Sequence, residues 1–416
     1  MEHSAQDLHF IASAFGRFSK VGKLPGGGFT RLGYTDTEDR MHAVFASYAK
    51  ELGCTCTQDE AGNSYLVNDP SDGYCLIASH LDSVIEGGEY DGAAGVIAGL
   101  MILRWARRDG LQVPLRVGAF RCEESSNFGL CTIGSGLITH ESYKENIDAL
   151  KGKDGRTIAE IFREKGWSLH PKKISGIGEY LEMHIEQGKV LDETKTEVGI
   201  VGTIAGPKRY RMYLSGMADH SGATPMSMRN DALCAAAAII LEVERIGHRE
   251  AAYNSVATVG VLNNAPNVMN VIPGDVTIGI DMRGIQKESL DRMERDLLRA
   301  VKSICQFRRI DCRQEKINDV SPIRMSPETE EGLVKAAREL GLSFRRMPSG
   351  AGHDAMSFPP ICRTGMVFIP CRAGISHNKL EYTTIPSVAD GAAVMYRYLK
   401  DRYGTKQDPV PAESGA

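Results

Sequence analysis

No stretch of the chain approaches the roughly 18 consecutive apolar residues of a membrane-spanning helix, so no bilayer segment is expected. The opening residues, Met1-Glu2-His3-Ser4-Ala5-Gln6-Asp7, lack the basic and apolar regions of a signal peptide. An excess of one charge is missing too. A formal net charge of -4 gives no electrostatic ground for binding nucleic acid or an anionic membrane. There is no Cys-x-x-Cys pair, and the ten cysteines are scattered, mostly inside apolar runs, where they read as small reduced core residues. No repeat is present at solenoid periods. These absences point to an ordinary globular chain of the cytoplasm. What is present is length: 416 residues, 42% hydrophobic and 25% charged, are too many for one core, and two or three domains are expected.

Strands and helices alternate through the first half. Residues 6–18 are amphipathic, and residues 37–52 carry Met41, Val44, Phe45, Tyr48 and Leu52 on one helical stripe. Short strands are expected near Cys54 and Tyr65, then strands at 74–79, 114–121 and 180–188, with helices at 92–108 and 158–165. Near Gly206 the pattern changes. Residues 209–215, 255–263, 276–283 and 311–316 read as strands, and 230–246 and 289–307 as helices, giving a two-helix, four-strand α+β insert. The small residues Ala232, Ala235, Ala236, Ala237 and Ala238 permit close packing against a sheet or another subunit. After Ser326 the α/β pattern resumes with a helix to Leu340, a strand at 366–370 and a helix at 387–403; the polar tail 405–416 reads as disordered.

The stretch 74–108 organises the rest. An apolar strand ends in His80 and Asp82, whose side chains project from the same side of an extended backbone. A glycine-containing loop follows, and Asp91 then stands before an apolar helix. His80 can ligate a metal through one ring nitrogen, Asp82 can hold the other nitrogen, and the two oxygens of Asp91 can bridge two ions. The same residues would serve equally as a polar strand end with an N-cap Asp, so later residues must decide. They add Glu124, His184 and His377, each at an expected strand end or in the loop after one, where ligands bind in open α/β sheets. Five such residues of mixed imidazole and carboxylate character suit zinc or manganese, with a bridging carboxylate for a two-ion site. At a strand-to-loop turn the adjacent Glu123 and Glu124 can reach one site, one binding metal while the other takes a proton; a solvated acidic loop is the plainer alternative.

Five segments appear in an order that resembles a known family: Ser79-His80-Leu81-Asp82-Ser83, Gly88-Glu89-Tyr90-Asp91-Gly92, Glu123-Glu124-Ser125, His184-Ile185-Glu186-Gln187-Gly188 and Gly374-Ile375-Ser376-His377. The resemblance is to the hydantoinase/carbamoylase branch of the M20 metallopeptidase superfamily and covers roughly residues 4–403. His184 separates this branch from M20 peptidases, which usually place a carboxylate there. The resemblance implies an α/β catalytic domain, residues 1–206 and 326–416, with a central mixed sheet flanked by helices, and a lid and dimerisation domain, 207–325. It further implies two divalent ions, zinc or manganese with cobalt possible, on His80, Asp91, Glu124, His184 and His377. Glu123 would be the general base, Asp82 would orient His80, and His220 would steady an oxyanion. Asn270 and Arg283 match the family's substrate-binding pair, although Asn270 would also suit a turn before Pro273, and Arg283 a strand-end surface charge. Gly352 and His353 lie in a turn that resembles a substrate-contact loop. Where many relatives carry Glu-Glu-Gly followed by Arg-Phe, this chain has Glu123-Glu124-Ser125-Ser126-Asn127-Phe128-Gly129, which bears on which substrate fits.

The implied activity is hydrolysis of the carbamoyl C–N bond of N-carbamoyl-L-amino acids, or of a ureido acid such as allantoate, by a homodimer that releases ammonia and carbon dioxide. Two rivals use the same residues: an N-acyl-amino-acid deacylase or dipeptidase, and an inactive metal-binding scaffold.

Overall fold

The computed structural model describes residues 3–140 and 146–404; the tail 405–416, expected to be disordered, lies outside the described residues. The chain divides into two compact units, one of Met1–Gly202, Met325–Met347 and Ala351–Ala416, the other of Thr203–Arg324 and Pro348–Gly350.

The chain begins with α1 (Ala5–Phe18), whose N-cap Ser4 accepts a hydrogen bond from Asp7 N, and α2 (Asp36–Leu52), closed by Gly53 at φ 58°. Then come β1 (Thr55–Gln58), β2 (Ser64–Val67), β3 (Tyr74–His80), α3 (Ala93–Asp109), β4 (Leu115–Phe120), α4 (Ile133–Thr139), α5 (Ile158–Lys165), β5 (Ile177–Ile185), α6 (Val190–Thr194) and β6 (Val198–Ile204). The second unit holds β7 (Gly206–Ser215), β8 (Asp219–His220), α7 (Ala232–Glu250), β9 (Val256–Ala265), β10 (Val271–Ile272), β11 (Asp275–Gly284), α8 (Lys287–Arg308), β12 (Asp311–Asp319) and β13 (Ile323–Arg324). The chain closes with α9 (Pro327–Glu339), β14 (Phe344–Ser349), β15 (Arg363–Ile369) and α10 (Ile385–Tyr403).

The large sheet runs β1-β2-β4-β3-β5-β15-β6-β13, with β14 pairing β6. It is mixed: β4, β3, β5 and β15 are parallel neighbours, while β2 and β6 join them antiparallel. Every residue of β3 is buried, as expected of an apolar run covered on both faces. On one face α3 packs with α1 and α10. Gly95 explains how closely α3 approaches: a Cβ there would stand 2.1 Å from Met183 O and 2.8 Å from Ser79 Cβ. No described helix is long and apolar enough to cross a membrane.

In the second unit a four-stranded antiparallel sheet, β12-β7-β11-β9, packs one face against α7 and α8. Burial alternates along β7 and β11, and the buried Met212, Leu214, Ile278 and Ile280 meet Ala232, Ala235, Ala236 and Ile239 of α7. The separate β8–β10 ladder, which pairs His220 with Val271, is absent from the elements expected from the sequence, as are β6, β13, β14, α4 and α6. In β6 two glycines, Gly199 and Gly202, interrupt the apolar run, and β14 carries Arg345, Arg346 and Pro348, which disguise a strand.

Candidate metal centre

Because β3, β4, β5 and β15 run parallel, their carboxyl ends share one edge of the sheet. His80 closes β3, Glu123 and Glu124 follow β4, and His184 stands one residue before the end of β5. His377 lies in the loop after β15, at φ 54°. Asp91 arrives from the loop before α3. It is not the N-cap expected from its position: Gly92, at φ 64°, holds that place without a side-chain cap, and the Asp91 carboxylate is left to the site. In the glycine-containing loop before it, Gly87 and Gly88 are not left-handed; the positive φ falls on Glu86, at 53°.

The five residues converge into two donor groups that share Asp91. His80 Nε2 is 3.3 Å and His184 Nε2 3.0 Å from Asp91 Oδ1. His377 Nε2 is 3.5 Å from Asp91 Oδ2 and 3.0 Å from Glu124 Oε1. Within each group, His80–Asp91–His184 and Asp91–Glu124–His377, the ligating atoms lie within 4.8 Å of one another. The first group is buried, whereas the His377 side chain is 48% exposed and opens the second to solvent. His184 Nδ1 is 2.8 Å from Ile185 O, so its hydrogen is directed there, and Nε2, beside Asp91, keeps its lone pair, which accepts from Gly92 N at 3.3 Å.

The electrostatics suit cations. Burial alone would lower the pKa of His80, but Asp82, Asp91 and Glu123 outweigh it and hold the ring well above its ordinary value. Burial of His184 is likewise outweighed by Asp91. Asp91 and Glu124 raise His377 to about 10. Against the raising effect of its own burial, Asp91 is held well below the usual carboxylate range by His184, His377 and His80. A field that favours a proton on each ring favours a divalent cation on the same atoms. Asp91 Oδ1 is moreover buried without a hydrogen bond, an arrangement that is costly unless a cation satisfies it. The residues present therefore fit divalent metal ions.

Glu123 differs from Glu124. Its Oε2 stands 3.9 Å from His80 Nε2, and Glu124, not Glu123, belongs to the second donor group. Burial pushes the Glu123 carboxyl well above its ordinary value; His80 opposes this and Glu124 adds to it. The two can share one site because the backbone turns at Cys122, a non-glycine residue at φ 52°. Three consecutive N–H groups of this turn are caught by buried carboxylates. Glu38 Oε1 accepts from Cys122 N at 2.9 Å, and Asp82 accepts from Glu123 N and Glu124 N, both at 3.0 Å. Asp82 Oδ1 is also 3.4 Å from His80 Nδ1, so one carboxylate touches both sides of the site.

Sequence reasoning did not single out four contributors: Glu38, Gln187, Ser376 and Glu381. Gln187, at φ 57°, donates through Nε2 to Asp91 Oδ2 at 2.8 Å, and Ser376 Oγ lies 3.0 Å from the same oxygen. Both stood inside the motifs that carried the family resemblance, so a signal existed. Glu38 and Glu381 stood in no motif.

Of the remaining candidates, His353 is buried, its ring edge-on to His184 at 4.6 Å, and burial, with His184 adding, lowers its pKa well below the ordinary value. Gly352 beside it is exposed. His220, Asn270 and Arg283 belong to the second unit. His220 Nδ1 accepts from Gly222 N at 3.0 Å and Ala223 N at 3.1 Å, which leaves the ring hydrogen on Nε2 as a donor. Asn270 is exposed, its carbonyl accepting from Ser221 N at 3.0 Å. The Arg283 fork is partly engaged: Nε and Nη2 donate to Asp281 Oδ2 at 3.2 and 3.1 Å, and Nη1 to Gly350 O at 2.7 Å.

Comparison with known proteins agrees with this geometry. The family described as Peptidase family M20/M25/M40 matches residues 76–401. An N-carbamoyl-L-amino acid amidohydrolase of Geobacillus stearothermophilus is 35% identical over 391 residues, which is 91% of this chain and 94% of that protein. The allantoate amidohydrolase of Bacillus subtilis (strain 168) is 31% identical, over 91% of this chain and 93% of its own length. Among solved structures, an amidase of the hydantoinase/carbamoylase family from Burkholderia multivorans superposes with a TM-score of 0.89 at 32% identity, covering 96% of this chain and 98% of that one. The full-length likeness and the family match lead to one conclusion: this chain belongs to the M20 family, in its hydantoinase/carbamoylase branch.

Proposed function

We propose that this chain hydrolyses the carbamoyl C–N bond of an N-carbamoyl-L-amino acid, or of a related ureido acid such as allantoate, releasing an amine, ammonia and carbon dioxide. At the coarser level it is a hydrolase of carbon–nitrogen bonds other than peptide bonds, as its named relatives are. The observation that carries the reading is the shared Asp91, one oxygen turned to each of two donor groups, with Glu123 beside them.

Two divalent ions, zinc or manganese with cobalt accepted, would be held by His80, Asp91 and His184 and by Asp91, Glu124 and His377. When bound, such ions polarise a carbonyl and make water acidic enough to lose a proton near neutral pH. The remaining steps belong to the chain. Glu123 takes a proton from the attacking water; its raised pKa and burial suit a group that must then return the proton to the leaving nitrogen. Asp82 fixes the backbone of both glutamates and faces the His80 ring, so base and ligands keep one geometry. From the second unit, His220 offers Nε2–H to the oxyanion, and Arg283, with Asn270, holds the substrate carboxylate. Gly352 and His353 are assigned to the substrate loop. The second unit acts as lid and dimerisation domain of a cytoplasmic homodimer.

The test is a substrate panel of allantoate, ureidoglycolate, N-carbamoyl-β-alanine and several N-carbamoyl-L-amino acids, with ammonia as the readout. Ammonia release from at least one of them supports the reading. A parallel assay of N-acyl-amino acids and dipeptides reads the free amino acid released, and turnover of these alone would replace it with the deacylase or peptidase reading.

A further inference from the structure

Glu381 lies four residues beyond His377, in no strand or helix, and is 5% exposed. Its side chain reaches back across 290 residues of sequence: Oε1 accepts Tyr90 N at 2.9 Å and Asp91 N at 3.0 Å. Its other oxygen, Oε2, stands 3.2 Å from Ser376 Oγ, which is itself 3.0 Å from Asp91 Oδ2. The Glu381 backbone N donates to Asn378 O at 3.0 Å, closing the turn that presents His377. One residue thus grips the segment bearing Asp91 with its side chain and the segment bearing His377 with its backbone, and Ser376 bridges the two.

A second, independent observation comes from Gly88. Its backbone is not left-handed, so no turn geometry requires glycine. A Cβ at Gly88 would instead fall 2.2 Å from Cδ and Oε1 of Glu381 and 2.5 Å from its Cβ. The glycine is needed because the Glu381 carboxylate occupies that space.

We infer that Glu381 is a positioning residue: it locks Asp91 and His377 into one frame and thereby sets the affinity for the ion held by Asp91, Glu124 and His377. The inference rests on the two-ion reading above. A carboxylate suits the task because one oxygen must accept two backbone N–H groups while the other meets a hydroxyl. Ser376 has a single hydroxyl hydrogen to share between Asp91 Oδ2 and Glu381 Oε2. An amide at 381 would keep the oxygen that faces Tyr90 and Asp91, and its NH2 would donate to Ser376 Oγ, leaving that hydrogen for Asp91.

The experiment measures zinc stoichiometry and the two zinc affinities by chelator competition, for wild type, Glu381→Ala, Glu381→Gln and Gly88→Ala. Thermal unfolding in excess chelator reports the fold without ions. Wild type is expected to hold two ions per chain. Glu381→Ala should weaken one ion by about 10–100-fold, the range typical for removing a partner of a metal ligand, while the other stays near wild type. Gly88→Ala should shift the same ion in the same direction, and Glu381→Gln should recover most of the affinity. Glu381→Ala protein that is folded and binds both ions with wild-type affinity overturns the inference, as does equal weakening of both ions accompanied by a lower unfolding temperature in chelator. Should Glu381→Ala not fold, Ser376→Ala and Gly88→Ala decide, and wild-type affinities in both overturn it. Wild type that binds fewer than two ions contradicts the two-ion reading itself, and with it the inference.

Discussion

Replacing Glu123 by Gln separates two adjacent residues that look alike in sequence. Glutamine keeps the size and the hydrogen-bonding ability of the side chain, and the backbone N–H of residue 123 remains bound to Asp82 at 3.0 Å, so the turn at Cys122 is expected to survive. On the proposed mechanism the variant loses the group that takes and returns a proton. A positioned acid–base group typically contributes about 10²–10⁴-fold, which is about 3–5 kcal/mol of barrier, and the loss should fall on kcat more than on KM. Because Glu123 lies in neither donor group, metal content should be unchanged. Glu124→Gln should behave differently, since Glu124 Oε1 is 3.0 Å from His377 Nε2 in the second group: that variant should lose or weaken an ion. The assay pairs steady-state kinetics with elemental analysis of both variants. Near wild-type kcat in Glu123→Gln, or metal loss in that variant with metal retained in Glu124→Gln, refutes the division of roles.

Other outcomes follow from single contacts. Gly95→Ala should destabilise the protein by about 1–3 kcal/mol or more, since the added carbon would stand 2.1 Å from Met183 O in a packed core; urea unfolding at wild-type stability would contradict the α3–β5 packing. Arg283→Ala should weaken productive binding of an acidic substrate by about 2 kcal/mol, and a mutant that still discriminates acid from amide as wild type does would exclude Arg283 as the anchor. In the second unit, hydrogen bonds from Lys208 and Lys287 lower Asp291 to about 2; burial would raise Glu294, but Lys208, Lys316 and Tyr210 bring it to about 2 as well. Both folded-state values lie below the ordinary 3.8 and 4.5, so their stabilisation is present above those values and lost as pH falls from there through about 2. Hydrogen exchange of residues 203–324 should show that acid sensitivity, and Lys208→Met should flatten it; an unchanged pH dependence in the variant would exclude this network as its source.

Much of the site was legible because its chemistry sits where the periodicity breaks. His80, Glu124 and His184 each terminate or follow an apolar strand, and strand ends in a parallel sheet share an edge, so order along the chain became proximity in space. What was not legible depends on backbone direction. The left-handed turns at Cys122 and Gln187 decide where Glu123 and the Gln187 amide point, yet neither residue type announces a positive φ. Glu38 and Glu381 act by accepting backbone N–H groups from segments far away in sequence, which leaves no local pattern to read. Strand β6 was hidden by its glycines, and β14 by two arginines at exposed positions and a half-buried proline.

The central claim is that Asp91 is shared between two ions that the hydrolysis requires. The most direct measurement is elemental analysis of the purified chain, followed by ammonia release from an N-carbamoyl-L-amino acid or allantoate before chelation, after chelation, and after adding back zinc, manganese or cobalt. Two divalent ions per chain, activity lost with them and restored on their return, is the expected result. Full activity in protein shown to be free of metal would contradict it.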